Sequence, residues 1–215
     1  MSSSPAAPRV LPIFPLPDVT LFPHTMLPLH VFEARYRAMV TDALSRDRRL
    51  AVVMLKPGYE THYEGKPAVQ EIAGAGEIVK WERLPTGRYN MLVQGRWRVR
   101  IARELPTDTL YRMVRVDVLE DVAGSADVAP LMRRVRDTCR TVLAALDRPH
   151  DLLDTALGGD ATPGVVADRV AAAFLPDAGV RQELLETTDV SRRLTRLVAA
   201  LDALANELKG PGSGG

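Results

Sequence analysis

Residues Leu11 to Tyr36 read LPIFPLPDVTLFPHTMLPLHVFEARY. Pro12, Pro15, Pro17, Pro23 and Pro28 punctuate an otherwise apolar run. Proline fixes φ and lacks a ladder donor, so it favours strand starts, edges and turns. The stretch therefore predicts short extended pieces, Ile13–Leu16 and Met26–His30, with turns at Pro17-Asp18 and Pro23-His24. From Glu33 the period changes. Tyr36, Met39, Val40, Ala43 and Leu44 recur at helical spacing. An apolar strand pair feeding an amphipathic helix marks the start of a domain.

Downstream the pattern is strand-like to about Glu120. Leu50–Leu55 is a β-branched run of the kind that fills a buried strand. Lys56 to Lys66 is polar and glycine-bearing, and its Tyr59, His62 and Tyr63 read as rings on a solvated loop. Val69–Leu84 is extended, with Gly74 and Gly76 marking a bulge or a close backbone approach. Pro85-Thr86-Gly87 makes a hairpin of Glu77–Leu84 and Arg88–Gln94. Gly95 bends the chain into Arg96–Leu105, where Trp97, Val99 and Ile101 alternate with Arg96, Arg98, Arg100 and Arg103. Tyr111–Glu120 repeats the alternation. Short strands with glycine kinks predict a small closed or nearly closed β-barrel.

Beyond Ala123-Gly124-Ser125 the period is helical throughout. Ser125 is placed to cap a helix reaching about Leu146. Thr162-Pro163 reads as N-cap and first helical residue of a helix to Leu175. Pro176 stops it, Asp177 begins another segment, and Asp189 caps a last helix, Val190–Leu208. The expected organisation is a flexible tail at 1–8, a β-rich unit at 9–122, a helical bundle at 123–208 and a tail at 209–215. The fold class is α+β.

Length and composition bound the function. A chain of 215 residues can bury a substantial core. Its net charge of +1 gives no general pull toward nucleic acid or acidic membrane. Residues 1–120 hold 17 basic and 13 acidic side chains (+4) and residues 121–215 hold 11 and 14 (−3). Cys139 is the only cysteine, which excludes an internal disulfide and suits a reducing cytoplasm. The N-terminus lacks a secretory pattern, and no apolar run approaches the roughly 20 residues needed to cross a bilayer. A cytoplasmic protein without membrane attachment is expected.

The patterns LP-x-FPL-x-x-x-LFP and LPL-x-x-FE-x-RY resemble the opening of the Lon N-terminal domain family. Gly76-Glu77-Ile78 and Gly95-Arg96-Trp97-Arg98-Val99 stand where that family has a glycine-bounded strand and a G-x-x-R-x-x-I strand. Asp168 to Leu175, Gln182 to Glu186, and Asp189 to Leu197 resemble its C-terminal half. The resemblance implies a PUA-like β-rich pseudobarrel joined to a helical bundle. It also implies a non-catalytic domain that binds protein or unfolded-peptide clients, alone or as an adaptor for an ATP-dependent protease, with weak self-association compatible. The family usually has glycine after LFP, where this chain has His24, and that substitution puts a left-handed turn there in question.

Enzymatic motifs do not emerge. There is no G-x-x-x-x-G-K-[ST], so a phosphate-cradling loop is missing. Gly74-Ala75-Gly76 lacks the third glycine of a dinucleotide fingerprint and lies in a strand pattern. No lysine has a Ser-Lys setting. The four histidines have no metal-ligand spacing, and Cys139 falls on an apolar helical stripe. No cofactor or metal is expected. The candidate peptide-binding residues are Phe22, Pro23, Met26, Leu29, Phe32 and Tyr36, each of which could instead be core. Glu33 and Arg35 are read as a polar clasp holding the helix to the barrel. The alternative function is RNA binding along Arg96, Arg98, Arg100 and Arg103. Missing aromatics on that face and the low net charge count against it.

Overall fold

The computed structural model describes residues 7–62, 65–124, 127–149, 151–159 and 161–209. The chain divides into two compact units, Met1–Leu119 and Glu120–Gly215.

The first unit contains β1 (Val10–Leu16), β2 (Met26–Val31), α1 (Ala34–Leu44), β3 (Arg49–Met54), β4 (Ile72–Arg83), β5 (Tyr89–Leu105) and β6 (Met113–Leu119). Strand order is β2-β5-β4-β3-β1-β6, and β6 pairs again with β5. Five strands therefore close a barrel, and β2 lies outside it along the first half of β5. Only β1 and β3 run parallel. The α+β class and the pseudobarrel stand as the sequence indicates.

Prolines 12 and 15 lie inside β1, a strand with neighbours on both sides, rather than at a strand start. The register explains this. β1 pairs β6 over Val10–Pro12 and β3 over Ile13–Leu16, so each half has one partner and one open side. A proline nitrogen facing the open side forfeits no ladder bond.

β3 is buried on both faces, as its continuous apolar run requires. Leu50 and Val52 join a core with Phe14, Tyr36, Met39, Val40, Met91 and Val93. Ala51 and Val53 join a second with Leu11, Ile13, Val99, Val114 and Val116. The first lies under α1. The second fills the barrel.

β5 is one continuous strand of 17 residues that bends at Gly95. Between Ala75 and Gly76 the β4–β5 register shifts, leaving Arg96 as the extra residue of a bulge. A Cβ at Gly74 or Gly95 would fall on the carbonyl oxygen of Leu21 or Phe22, so the Leu21–Phe22 segment crosses β4 and β5 at backbone contact. The turn beyond it is pinned. Thr25 Oγ1 donates to Phe22 O at 2.7 Å, His24 N to Gly95 O at 3.0 Å, and Gly95 N to Thr25 O at 2.9 Å. His24 has φ +62, so the left-handed turn exists with histidine in the glycine's place.

The second unit contains α2 (Ala129–Ala145), α3 (Asp151–Leu157), α4 (Pro163–Phe174), α5 (Ala178–Glu186) and α6 (Val190–Lys209). Thr162 and Asp177 cap α4 and α5 through Val165 N and Val180 N. Asp189 Oδ1 accepts from Arg192 N at 2.9 Å at the start of α6. The Ser125 cap lies outside the described residues, and α2 itself begins at Ala129. Its stripe buries Val135, Cys139, Val142 and Leu143 against a core that includes Val166, Val170, Leu194, Leu197 and Leu201. Burial pushes the Cys139 thiol up to about 12, which removes it as a nucleophile.

Candidate functional site

The six apolar candidates divide into buried and exposed residues, and within β2 the division follows strand alternation. Phe22 is fully buried, and Pro23 and Tyr36 are buried too. They are corrected from binding surface to core. Phe22 belongs to the segment that crosses β4 and β5, and Tyr36 packs its ring on Phe14 at 4.4 Å between centroids. Leu29 is half-buried and packs on the core under α1. Met26 and Phe32 are 52% and 58% exposed.

The cause is the two-residue period of β2. Leu27, Leu29 and Val31 face the core, while Met26, Pro28 and His30 are exposed on the opposite side. Phe32 continues the outward row. Beside them β5 places Leu92 opposite Pro28 and Asn90 opposite His30. β4 adds Lys80 opposite Leu92 and Glu82 opposite Asn90. A groove of about 410 Å³ runs over this face, lined by Pro28, Leu29, Trp81, Met91 and Leu92 together with His30, Lys80, Glu82 and Asn90. Trp81 is 39% exposed and is backed by the Arg48 guanidinium 4.7 Å from its ring centroid. His30 Nδ1 and Asn90 Oδ1 are 2.7 Å apart, and the His30 ring stacks near Phe32 at 6.3 Å.

Pro28, His30, Trp81 and Leu92 were not among the sequence candidates. The outward alternation of β2 could have found Pro28 and His30. Leu92 and Trp81 depend on cross-strand register, which local sequence does not carry. β2 is also the sheet's open edge, and Pro28 removes a donor from its middle. Strand addition is disfavoured there.

Glu33 and Arg35 do pair, Nη2 to Oε2 at 2.9 Å, across the first turn of α1. Arg35 also lies over the Tyr36 ring, 4.6 Å from its centroid. Arg35 further borders a polar cleft with Lys66, Glu104 and Arg112.

The arginine row is corrected at one position and weakened at another. Arg98 is buried, 3% exposed, between Gly74 and Leu119, so it belongs to no outer face. Arg98 lies opposite Gly74, over which the Leu21 backbone crosses, so the crossing segment covers that face. Arg96 pairs with Glu77 at 3.6 Å, and Glu77 also takes Arg49 at 3.4 Å. Arg100 and Arg103 remain exposed. No continuous basic strand face results, and no exposed aromatic side chain stands among these residues.

The helical unit holds one buried charged cluster that sequence reading did not single out. Arg193 is fully buried and grips Asp121 with both terminal nitrogens, Nη1 to Oδ1 at 2.9 Å and Nη2 to Oδ2. Its Nε lies 3.5 Å from buried Asp168. A Cβ at Gly164 would press on Asp121 and Arg193. The cluster ties Asp121, ahead of α2, to α4 and α6. No group of three or more potential metal ligands occurs among the described residues. No described helix is long and apolar enough to cross a membrane.

The model of the ATP-dependent protease La (Lon) substrate-binding domain matches residues 10–203. A Lon protease of Dictyoglomus thermophilum is 29% identical over 192 residues, which are 88% of this chain and 24% of that protein. One from Roseiflexus castenholzii is 32% identical over 202 residues, 92% of this chain and 24% of that protein. The chain thus spans about a quarter of the length of these relatives. Among solved structures, the N-terminal domain of the Mycobacterium avium complex Lon protease superposes with a TM-score of 0.73 at 17% identity. That match covers 90% of this chain and 98% of the other. A Lon N-terminal domain protein from Xanthomonas campestris gives 0.62 at 25% identity, covering 88% and 97%. Its sequence match and its pseudobarrel-plus-bundle architecture agree: the chain belongs to the Lon substrate-binding domain family.

Proposed function

We propose that this chain is a non-catalytic recognition domain whose outer β2–β5–β4 face captures apolar segments of client proteins for an ATP-dependent protease. The observation that carries the reading is the exposure of Met26 and Phe32 beside the Pro28–Leu92 groove, in a chain of a substrate-binding family. Exposed apolar side chains grouped on one rigid face favour binding of partly unfolded chains, because burying them releases water. Methionine adapts to varied partners, and aromatic rings supply contact area at low entropic cost. His30, Lys80, Glu82 and Asn90 line the same groove and supply polar contacts to a client backbone. A reducing cytoplasm suits the lone buried thiol.

The test is fluorescence anisotropy with a fluorescein-labelled, reduced and carboxymethylated unfolded polypeptide. The Met26→Glu/Phe32→Glu double variant should bind about tenfold more weakly or worse, the scale of losing interface anchors. Its circular dichroism should match the parent, since both side chains are exposed. Undiminished binding by a folded double variant would remove this face from the account.

A further inference from the structure

A second concavity in the first unit has a different character. It is a cleft of about 320 Å³ whose lining mixes Pro15, Tyr36 and Leu110 with Arg35, Lys66, Glu104 and Arg112. The charged part of the lining is built in layers. Arg112 is fixed, with Nη1 donating to Pro67 O at 2.8 Å and Nη2 and Nε to Glu104 Oε2 at 3.0 and 3.3 Å. Lys66 Nζ lies 3.3 Å from the other Glu104 oxygen, with its side chain 74% exposed. Burial alone would raise the Glu104 pKa, but hydrogen bonds and charge from Arg112 and Lys66 outweigh it and hold the carboxyl below its usual range.

The lining carries three cations and one carboxylate. Glu33, which pairs Arg35 from outside the lining, brings the balance to one positive charge. That charge sits in a concave site, where field lines are focused. Leu110, 69% exposed, lines the same cleft with Tyr36 and Pro15. An anionic group with an apolar neighbour on the same molecule matches this mixed lining.

The geometry points to this cleft as a binding site for the C-terminal carboxylate of a peptide ending in an apolar residue. The carboxylate would sit by Lys66 and Arg35, and the last side chain against Leu110. The site refines the client-recognition reading and rests on it only for the ligand being a polypeptide. It is separate from the Met26–Phe32 face.

The test uses the full chain and an acetylated pentapeptide, Gly-Ser-Gly-Ala-Leu, with a free C-terminus, followed by amide chemical shifts in NMR. Saturable binding at millimolar peptide is expected, with shifts centred on residues 104–112. The C-terminally amidated twin should bind about tenfold more weakly, the scale of one lost charge-assisted hydrogen bond. Lys66→Glu, at an exposed position, should weaken the free acid similarly. Glu104→Gln should tighten it, because a competing internal carboxylate is gone; a purely structural salt bridge would not give that gain. Equal binding of the amidated twin, no saturation, or acetate binding as well as the peptide would overturn the proposal. The Met26→Glu/Phe32→Glu variant should bind this pentapeptide normally. Failure here with intact capture of the unfolded polypeptide therefore removes the cleft alone.

Discussion

The Phe22 carbonyl oxygen rides on the Cα of Gly95, in the space a Cβ would need. Leu21 stands over Gly74 in the same way. The apolar segment between β1 and β2 thereby clamps the two longest strands at their bend, and positions β2 along the first half of β5. The client face depends on this contact although neither residue is exposed.

Gly95→Ala should therefore destabilise the protein by about 3 kcal/mol, the upper range for forcing a methyl group into a packed interior. Urea unfolding followed by tryptophan fluorescence measures it. A loss below about 0.5 kcal/mol, the range of ordinary surface changes, would mean that the segment can lift from the sheet.

His24 occupies a left-handed position at φ +62. A non-glycine residue there costs roughly 1–2 kcal/mol. Glycine relieves that strain but loosens the unfolded chain. His24→Gly should raise the melting temperature, with a gain of up to about 1 kcal/mol. A lowered melting temperature would mean that the histidine side chain contributes more than its backbone costs.

Arg193 links Asp121, ahead of α2, to Asp168 of α4 from its place on α6. Arg193→Met should cost about 3–5 kcal/mol, because Asp168 is left buried without its cation. Arg193→Lys should not restore stability, since an ammonium cannot reproduce the two-pronged grip on Asp121. Thermal unfolding of both variants decides this; full rescue by lysine would reduce the contact to simple charge.

Tyr111 donates to Asp42 Oδ2 at 2.7 Å, and burial followed by that carboxylate pushes its pKa up to about 12. A pKa raised on folding gives stability that is complete below the ordinary tyrosine value near 10 and is lost as pH climbs toward about 12. Cys139 acts in the same sense, from its ordinary 9 toward about 12. Stability should therefore decline from about pH 9 upward. Ultraviolet titration should show one phenolate missing until the protein unfolds. Tyr111→Phe should remove part of the alkaline dependence and cost about 1–2 kcal/mol at neutral pH. A parent protein with flat stability from pH 9 to 11 would contradict the assignment.

Much of this fold was legible locally. The change of period at Glu33 located α1, the run Leu50–Leu55 located β3, and Thr162 and Asp177 announced their helices, because caps and periods are short-range physics. Gly74 and Gly76 signalled a close backbone approach without saying what approaches. Leu21 comes from 50 residues earlier, and only the fold brings it there. The site was less legible for the same reason. Phe22, Met26 and Phe32 are equally apolar in sequence, and their fates differ through the alternation of β2 and the crossing at Gly95. Arg98 looked like an outward residue, and its burial follows from the Leu21–Phe22 segment that crosses the sheet at Gly74, its partner on β4. Arg193 gave no local signal of burial, since a basic residue on a helix normally faces water.

The central claim is that clients dock on the outer β2–β5–β4 face. Met26 is 52% exposed there, Met39 is fully buried on the inner face of α1, and Met132 lies on α2 in the helical unit. Labelling the methionine methyl groups with carbon-13 and titrating in the unfolded polypeptide reads all three at once. The account predicts that the Met26 methyl resonance shifts or broadens first and most, with Met39 and Met132 unmoved. A shift at Met132 with Met26 unchanged would contradict it and place client binding on the helices.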